Sequence, residues 1–466
     1  MAPTDTLNAN VPSSARPAPG RALLDRLENG PEIIGIVHWG LNTYTDREWG
    51  FGDEDPALLA PDAFDAGQIV SACRAGGLGG LVIVAKHHDG FCLWPTKTTA
   101  HNISKSPFRG GEGDYVREMA EACRRAGLKF GVYVSPWDRN SAHYATDRYV
   151  DIYHAQIREL LGGGYGDVFE MWFDGAMGGD GFYGGARETR RIGENYYRFP
   201  EVFRFVRELQ PGICIFAGES DGSDFRWPGN ETGELDPDSC ATICAVGGFA
   251  DHLGGYGNPE YKPHINTGMK DYAGEMFFRA CECDFPLRKG WFFHEGECGT
   301  AKSPLYLAQR YLGTVGNGGT MNIGIAPDRH GRLDVEDATT LARFGAIRKA
   351  LFSNPVTDGP ANIVVMHEDI SRGEYVDAWS ILSGGREIAT GKSIGNKRIR
   401  TFPDGEVTDA AALKVVASSI ATDGAPSVTA RAYLADGELL RAVLSATDSS
   451  GETDTAKWMV AAGLGK

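Results

Sequence analysis

The sequence predicts an α/β fold, a (β/α)8-like barrel followed by a small antiparallel β-sandwich. Three observations carry that expectation. Over residues 32–350, short Val/Ile/Phe-rich runs alternate with amphipathic stretches, which is the pattern of repeated parallel βαβ units. The first strand-to-helix turn, "HWGLNTYTDREWGFGDEDP", lacks the glycine fingerprint that an open nucleotide-binding sheet places there, so a closed barrel is favoured. Beyond about residue 355 the helical period vanishes and short β-prone runs broken by turns take over. The length of 466 residues exceeds one ordinary core but suits a barrel with a second domain.

Taken in order, residues 1–31 are Pro-, Ala- and Ser-rich and read as an N-terminal extension. The runs "EIIGIVHWG", "GLVIVAKHHDG", "LKFGVYVSPW", "VFEMWFDG" and "GICIFAGE" are apolar almost throughout, as strands covered on both faces must be. Between them, "PDAFDAGQIVSACRAGG" opens on Pro-Asp and stops at glycine. "GDYVREMAEACRRAGL" aligns Val116, Met119, Ala120 and Cys123 on one face. "TDRYVDIYHAQIRELLGGG" repeats Tyr149, Ile152, Tyr153, Ile157, Leu160 and Leu161 at helical spacing before Gly162. "FPEVFRFVRELQPG" does the same and halts at Pro-Gly. Residues 218–275 are Gly/Asp-rich and are expected to be active-site loops. The sandwich is expected over 355–446, on runs such as "NIVVMHED", "ALKVVASSI" and "SVTARAYLA", and the 447–466 tail has no clear reading.

Composition narrows the function classes. Hydrophobic and charged fractions of 42% and 23% are those of a water-soluble globular chain. A net charge of −16 without a basic block opposes nucleic acid and anionic lipid as partners, and says nothing against a neutral sugar. No run approaches the ~20 apolar residues of a membrane span, and residues 1–30 lack a signal-peptide core. The nine cysteines, among them Cys73, Cys123 and Cys214, read as reduced and buried. The expected location is therefore cytoplasmic, with export left open should the natural chain carry a leader ahead of this one. The pairs Cys281/Cys283 and Cys240/Cys244 are off the usual zinc spacing, and neither metal nor cofactor is expected. Oligomeric state is not legible.

In a barrel of this kind the chemistry sits at the C-terminal ends of the strands. Those positions hold His38-Trp39, His87-His88-Asp89, Tyr133 and Trp137, then Trp172 and Asp174. Strand 5 leads into a loop with Glu219, Glu231 and Glu234, and a later strand is expected to end in Trp291 through His294. Each has a plain explanation alone: Asp-Gly is a common turn, and a strand-end histidine is usually a satisfied core group. Together they supply the roles a carbohydrate site needs. Aromatic faces stack on the C–H faces of sugars, and imidazole and phenol bond hydroxyls. Two carboxylates could then perform glycoside hydrolysis, Asp174 as the rigidly held attacking group and a loop glutamate as proton donor. The rival class is a metal-dependent hydrolase using His38, His87, His88 and Asp174. Strand alternation should send His87 and His88 to opposite faces and so oppose shared chelation. A lectin that binds sugar without turnover is the third reading.

The segments "IVHWGLNTYTDREWG", "KHHDGFCLWPTKTTAHNISKSP", "LKFGVYVSPWD", "MWFDGAMGGDGFYGGARETR", "RWPGNETGE", "ECDFPLRKGWFFH" and "MNIGI" together resemble an α-L-fucosidase of glycoside hydrolase family 29. "REWGFG" and "RWPGNE" resemble its branch acting on α-1,3/1,4-linked fucose. The resemblance spans residues 32–350, with an echo in "KSIGNKRIRTF". It implies a retaining exo-hydrolase of Lewis-type oligosaccharides or glycans, working through a covalent fucosyl-Asp intermediate. Asp174 matches the nucleophile and Glu231 the general acid/base, with Glu219 and Glu234 open as alternatives. His38, Glu48, Trp49, His87, His88, Tyr133, Trp172 and Trp291 match positions that grip the fucose.

Overall fold

The computed structural model describes residues 16–176, 178–193, 195–217, 222–244, 276–419 and 426–448. Eight parallel strands close into a barrel: β1 (Ile33–Val37), β2 (Gly80–Lys86), β3 (Lys129–Val134), β4 (Glu170–Trp172), β5 (Cys214–Phe216), β6 (Phe225–Arg226), β7 (Ala280–Pro286) and β8 (Thr320–Ile325). Their order around the barrel is their order in the chain, and Ile33 of β1 pairs with Met321 of β8 to shut the ring. Nearly every strand residue is buried, which is why these runs are apolar on both faces.

The outer helices start and stop where the side chains dictate. Asp65 and Asp114 accept from the amides of Gln68 and Arg117, both at 2.9 Å, and so cap Ala66–Ala75 and Tyr115–Ala126. The second helix stops at Gly127, whose φ of 73° suits a residue without Cβ. Its buried face contains Val116, Met119, Ala120 and Cys123, the set aligned by the sequence period.

Three segments depart from the sequence reading. Residues 218–275, expected to be loops, contain β6, which bridges β5 and β7 through Phe216↔Phe225 and Ala280↔Phe225. They also contain Thr242–Cys244, which pairs antiparallel with Met276–Phe278. A two-residue strand has no period to read; its neighbours define it. The late strand expected to end in Trp291–His294 is β7, which ends earlier at Pro286, and the aromatic run lies in the loop that follows. Within the N-terminal extension, Arg21–Asn29 is a helix whose Leu23 packs with Ile34, Ile36, Val82 and Val84 of the barrel interior. Among the described residues no helix is long and apolar enough to cross a membrane.

The C-terminal part is antiparallel. A four-stranded sheet (Pro355–Val356, Val428–Tyr433, Ile363–Glu368, Arg398–Thr401) accompanies a three-stranded one (Arg386–Gly391, Ala378–Ser383, Leu413–Ser418). Val364, Met366, Trp379, Ile381 and Phe402 form their shared core. The chain then returns as helix Gly437–Leu444, whose Leu439, Leu440 and Val443 join the core of the barrel domain. Arg398, fully buried, ties the sandwich down. Its guanidinium donates to the carbonyls of Pro237 and Asn317 at 2.8 Å each and of Ser239 at 2.6 Å.

Candidate active site

The chain leaves β4 at Trp172, and two residues later Asp174 turns back over the barrel mouth. Both oxygens of its carboxylate are held. Oδ1 accepts from the Ala176 amide at 2.8 Å and Oδ2 from the Tyr133 hydroxyl at 3.0 Å. The Asp-Gly turn and the functional reading are thus one arrangement, since the turn amide is what fixes the acid. Burial, then the Asp174 charge, push the Tyr133 phenol well above its ordinary range and keep it a donor.

The histidines lie just past their strands. β2 ends at Lys86, so alternation no longer governs His87 and His88, and their rings sit 4.2 Å apart, tilted, on one side. The opposite-face expectation is corrected on that ground. The Asn42 amide nitrogen lies 3.3 Å from His87 Nδ1, so Nδ1 accepts and Nε2 carries the proton. Ser135 Oγ donates to the Trp137 carbonyl at 2.9 Å and receives His88 Nδ1–H at 2.7 Å. His88 Nε2 then offers a lone pair beside Asp174, 3.9 Å from Oδ1. Burial lowers the His87, His88 and His38 pKa values, His38 to about 3, and keeps all three neutral near pH 7. Among the described residues no group of three His, Cys, Asp or Glu side chains is arranged to hold a metal ion.

Rings complete the wall. Tyr133 stacks on Trp172 at 5.4 Å and lies 6.0 Å from His87, and His38 lies 5.1 Å from Trp291. Trp49, 57% exposed, meets His88 edge-on at 5.2 Å. Glu231 stands at the rim, where the Trp291 indole donates to its Oε2 at 3.3 Å. Desolvation, then the charges of Asp174 and Glu48, raise its carboxyl above the usual range, against the indole bond that lowers it. A raised carboxyl suits a proton donor. Glu234 points elsewhere, in an ion pair with Arg310 at 2.8 Å. Glu219 lies outside the described residues.

Glu48 occupies a bracing position. Its Oε2 accepts the Trp291 amide at 2.8 Å and its Oε1 the Phe292 amide at 3.2 Å. His38, Glu48, Trp49, His87, His88, Tyr133, Trp172, Asp174, Glu231 and Trp291 are therefore linked by direct contacts around one mouth.

Sequence reasoning missed the polar floor. Glu282 accepts from the Trp172 indole at 3.0 Å and from the Asn322 amide at 2.9 Å. Glu170 lies beside it, fully buried, with the Arg26 guanidinium 3.9 Å away; burial and the Glu282 charge push the Glu170 carboxyl well up. Asp284, on the same interior face, is also pushed well up by burial and by Glu231. The signal was present in "ACECDFP": acids at every second position of a strand face the same way.

Comparison with known proteins places this geometry in a family. Residues 29–221 match the Alpha-L-fucosidase family model. A rice protein (Oryza sativa subsp. japonica) named "Putative alpha-L-fucosidase 1" is 38% identical over 328 residues, 69% of this chain and 57% of its own. The α-L-fucosidase 1 of Arabidopsis thaliana is 33% identical over 320 residues, 68% of this chain and 58% of its own. The chain thus spans little more than half the length of these curated relatives. The crystal structure of a glycoside hydrolase 29 family member from an unknown rumen bacterium superimposes with a TM-score of 0.81 at 32% identity, over 91% of this chain and 78% of that one. The chain belongs to the α-L-fucosidase family, glycoside hydrolase family 29.

Proposed function

We propose that the chain is a retaining exo-α-L-fucosidase that hydrolyses terminal α-1,3/1,4-linked L-fucose from Lewis-type oligosaccharides or glycans. The reading is carried by one juxtaposition: Asp174, fixed through both oxygens, shares a mouth with Glu231, whose carboxyl pKa is raised by desolvation and by the Asp174 charge. An Asp174 oxygen attacks the anomeric carbon as the bond to the departing sugar oxygen breaks, and Glu231 delivers its proton to that oxygen. Water then enters, Glu231 takes one of its protons, and the water oxygen displaces Asp174 from the same carbon. Two inversions give retention. The His87 N–H and the His88 lone pair supply one donor and one acceptor for neighbouring ring hydroxyls, while Trp172 and Trp291 cover apolar faces of the sugar.

The linkage preference rests on "REWGFG" and "RWPGNE". The free, buried Cys73, Cys123 and Cys214 favour work in a reducing compartment such as the cytoplasm. The test is a panel of α-1,2-, α-1,3-, α-1,4- and α-1,6-fucosylated oligosaccharides, with released fucose and its first-formed anomer read by NMR. Release from the α-1,3 and α-1,4 members as the α-anomer is expected. Release of the β-anomer would overturn retention, and preference for the α-1,2 or α-1,6 members would overturn the linkage.

A further inference from the structure

His294, three residues beyond Trp291, joins the two loops that carry Trp49 and Trp291. Its Nδ1 is 2.8 Å from Asp46 Oδ1 and its Nε2 is 2.6 Å from Glu48 Oε1. A neutral imidazole has one N–H, and carboxylates only accept. Both contacts are hydrogen bonds when the ring carries both protons. Glu48 in turn receives the backbone amides of Trp291 and Phe292. A Cβ on Gly290 would stand 2.3 Å from Glu48 Oε1, so the close approach needs glycine there.

We propose that His294 is a positioning residue: as an imidazolium clamped between Asp46 and Glu48, it staples the Trp49 loop to the Trp291 loop and sets the width of the pocket mouth. The charged groups facing it are Asp46 and Glu48 from the first loop and Glu297 from its own. Glu295 is engaged by Arg329 at 3.3 Å. Desolvation, which alone would lower the His294 pKa, is outweighed by the hydrogen bonds to Glu48 and Asp46 and the charges of Glu48 and Glu297, so the value is raised. The sign follows. The staple is intact below the ordinary histidine range, persists through it, and is lost as pH rises through the raised value.

The inference uses the fucosidase reading only in taking L-fucose as its probe. Calorimetric Kd values for L-fucose are measured on the full chain from about pH 5.5 to 9, for wild type, His294→Arg, His294→Gln and Asp46→Asn. Wild-type Kd is expected to rise about tenfold on the alkaline side, the factor that ~1.4 kcal/mol represents. His294→Arg, permanently charged, should stay tight and flat. His294→Gln should be weak and flat, and Asp46→Asn should move the rise to lower pH. An alkaline rise in His294→Gln matching that of wild type overturns the proposal. Should His294→Gln fail to fold, an Asp46→Asn profile superimposable on wild type does the same. Tryptophan fluorescence of the sugar-free protein provides a readout independent of the substrate. An alkaline transition in wild type that His294→Arg lacks supports the staple even if fucose proves the wrong sugar; an identical transition in both refutes it.

Discussion

Trp291→Phe isolates a single bond to the proposed proton donor. The substitution keeps an aromatic ring against His38, 5.1 Å away, and removes the indole N–H that donates to Glu231 Oε2 at 3.3 Å. That bond favours the charged carboxylate, so its loss must raise the Glu231 pKa further. A buried hydrogen bond to a charged group contributes about 1.5–3 kcal/mol net, but this one is long at 3.3 Å and solvent-exposed, which brings it down to about 0.7 kcal/mol. At about 1.4 kcal/mol per pH unit, the shift is about half a unit upward. The assay is the pH dependence of kcat/KM for fucose release. The alkaline limb, which reports the acid form of the donor, should move up by that amount. The acidic limb should stay where it is, because the indole does not touch Asp174. An alkaline limb that stays fixed or moves down would show that the group delivering the proton is not the one bonded to Trp291, and Glu219 would become the candidate to examine.

Asp174→Asn should lower kcat by at least about 10³-fold while calorimetry still detects L-fucose; substantial turnover by the folded variant would remove the nucleophile assignment. Glu231→Ala should slow release from natural linkages by about 10²–10⁴-fold, the usual contribution of a positioned acid, with azide restoring part of the rate on an activated aryl fucoside. Rescue in Glu219→Ala but not in Glu231→Ala would exchange the roles. Arg398→Met leaves the Asn317 and Ser239 carbonyls without their charged donor, while Pro237 keeps Arg400, and should cost about 2–4 kcal/mol in urea unfolding; a midpoint unchanged from wild type would show that those bonds add nothing net.

The legible part of this chain is the part where one residue's environment is local. "VFEMWFDG" reads correctly as a buried strand followed closely by an acid, because an apolar run and a turn signal stand side by side, although the strand itself stops at Trp172, two residues short of Asp174. The failures share a cause of the opposite kind. β6 is two residues long and exists because β5 and β7 pair with it across the chain. "GWFFH" looks like a strand end, but two of its amides are bound by Glu48, more than two hundred residues upstream in sequence. The alternation argument for His87 and His88 assumed a strand that stops at Lys86. The helix Arg21–Asn29 was hidden by the Pro- and Ala-rich residues ahead of it, although Leu23, Leu24 and Leu27 carry a helical spacing. Of the candidate site, the rim side chains were named from sequence, but the polar floor and the way Glu48 and Tyr133 brace their neighbours depend on contacts distant in the chain.

The grip of Arg398 has company. Arg400 also reaches the Pro237 carbonyl at 2.8 Å, Glu374 accepts the Ala241 amide at 2.7 Å, and the Lys392 amide donates to Asp238 at 2.9 Å. Four points of the sandwich thus hold residues 237–241, a few positions downstream of the glutamate proposed to deliver the proton. Mechanically the two domains share a hinge pin, and a barrel cut free near residue 355 would lose the backstop of its own acid. Exchanging sandwiches between relatives should therefore alter the proposed proton delivery, and the accessory module is better regarded as part of the frame of that site than as its passenger.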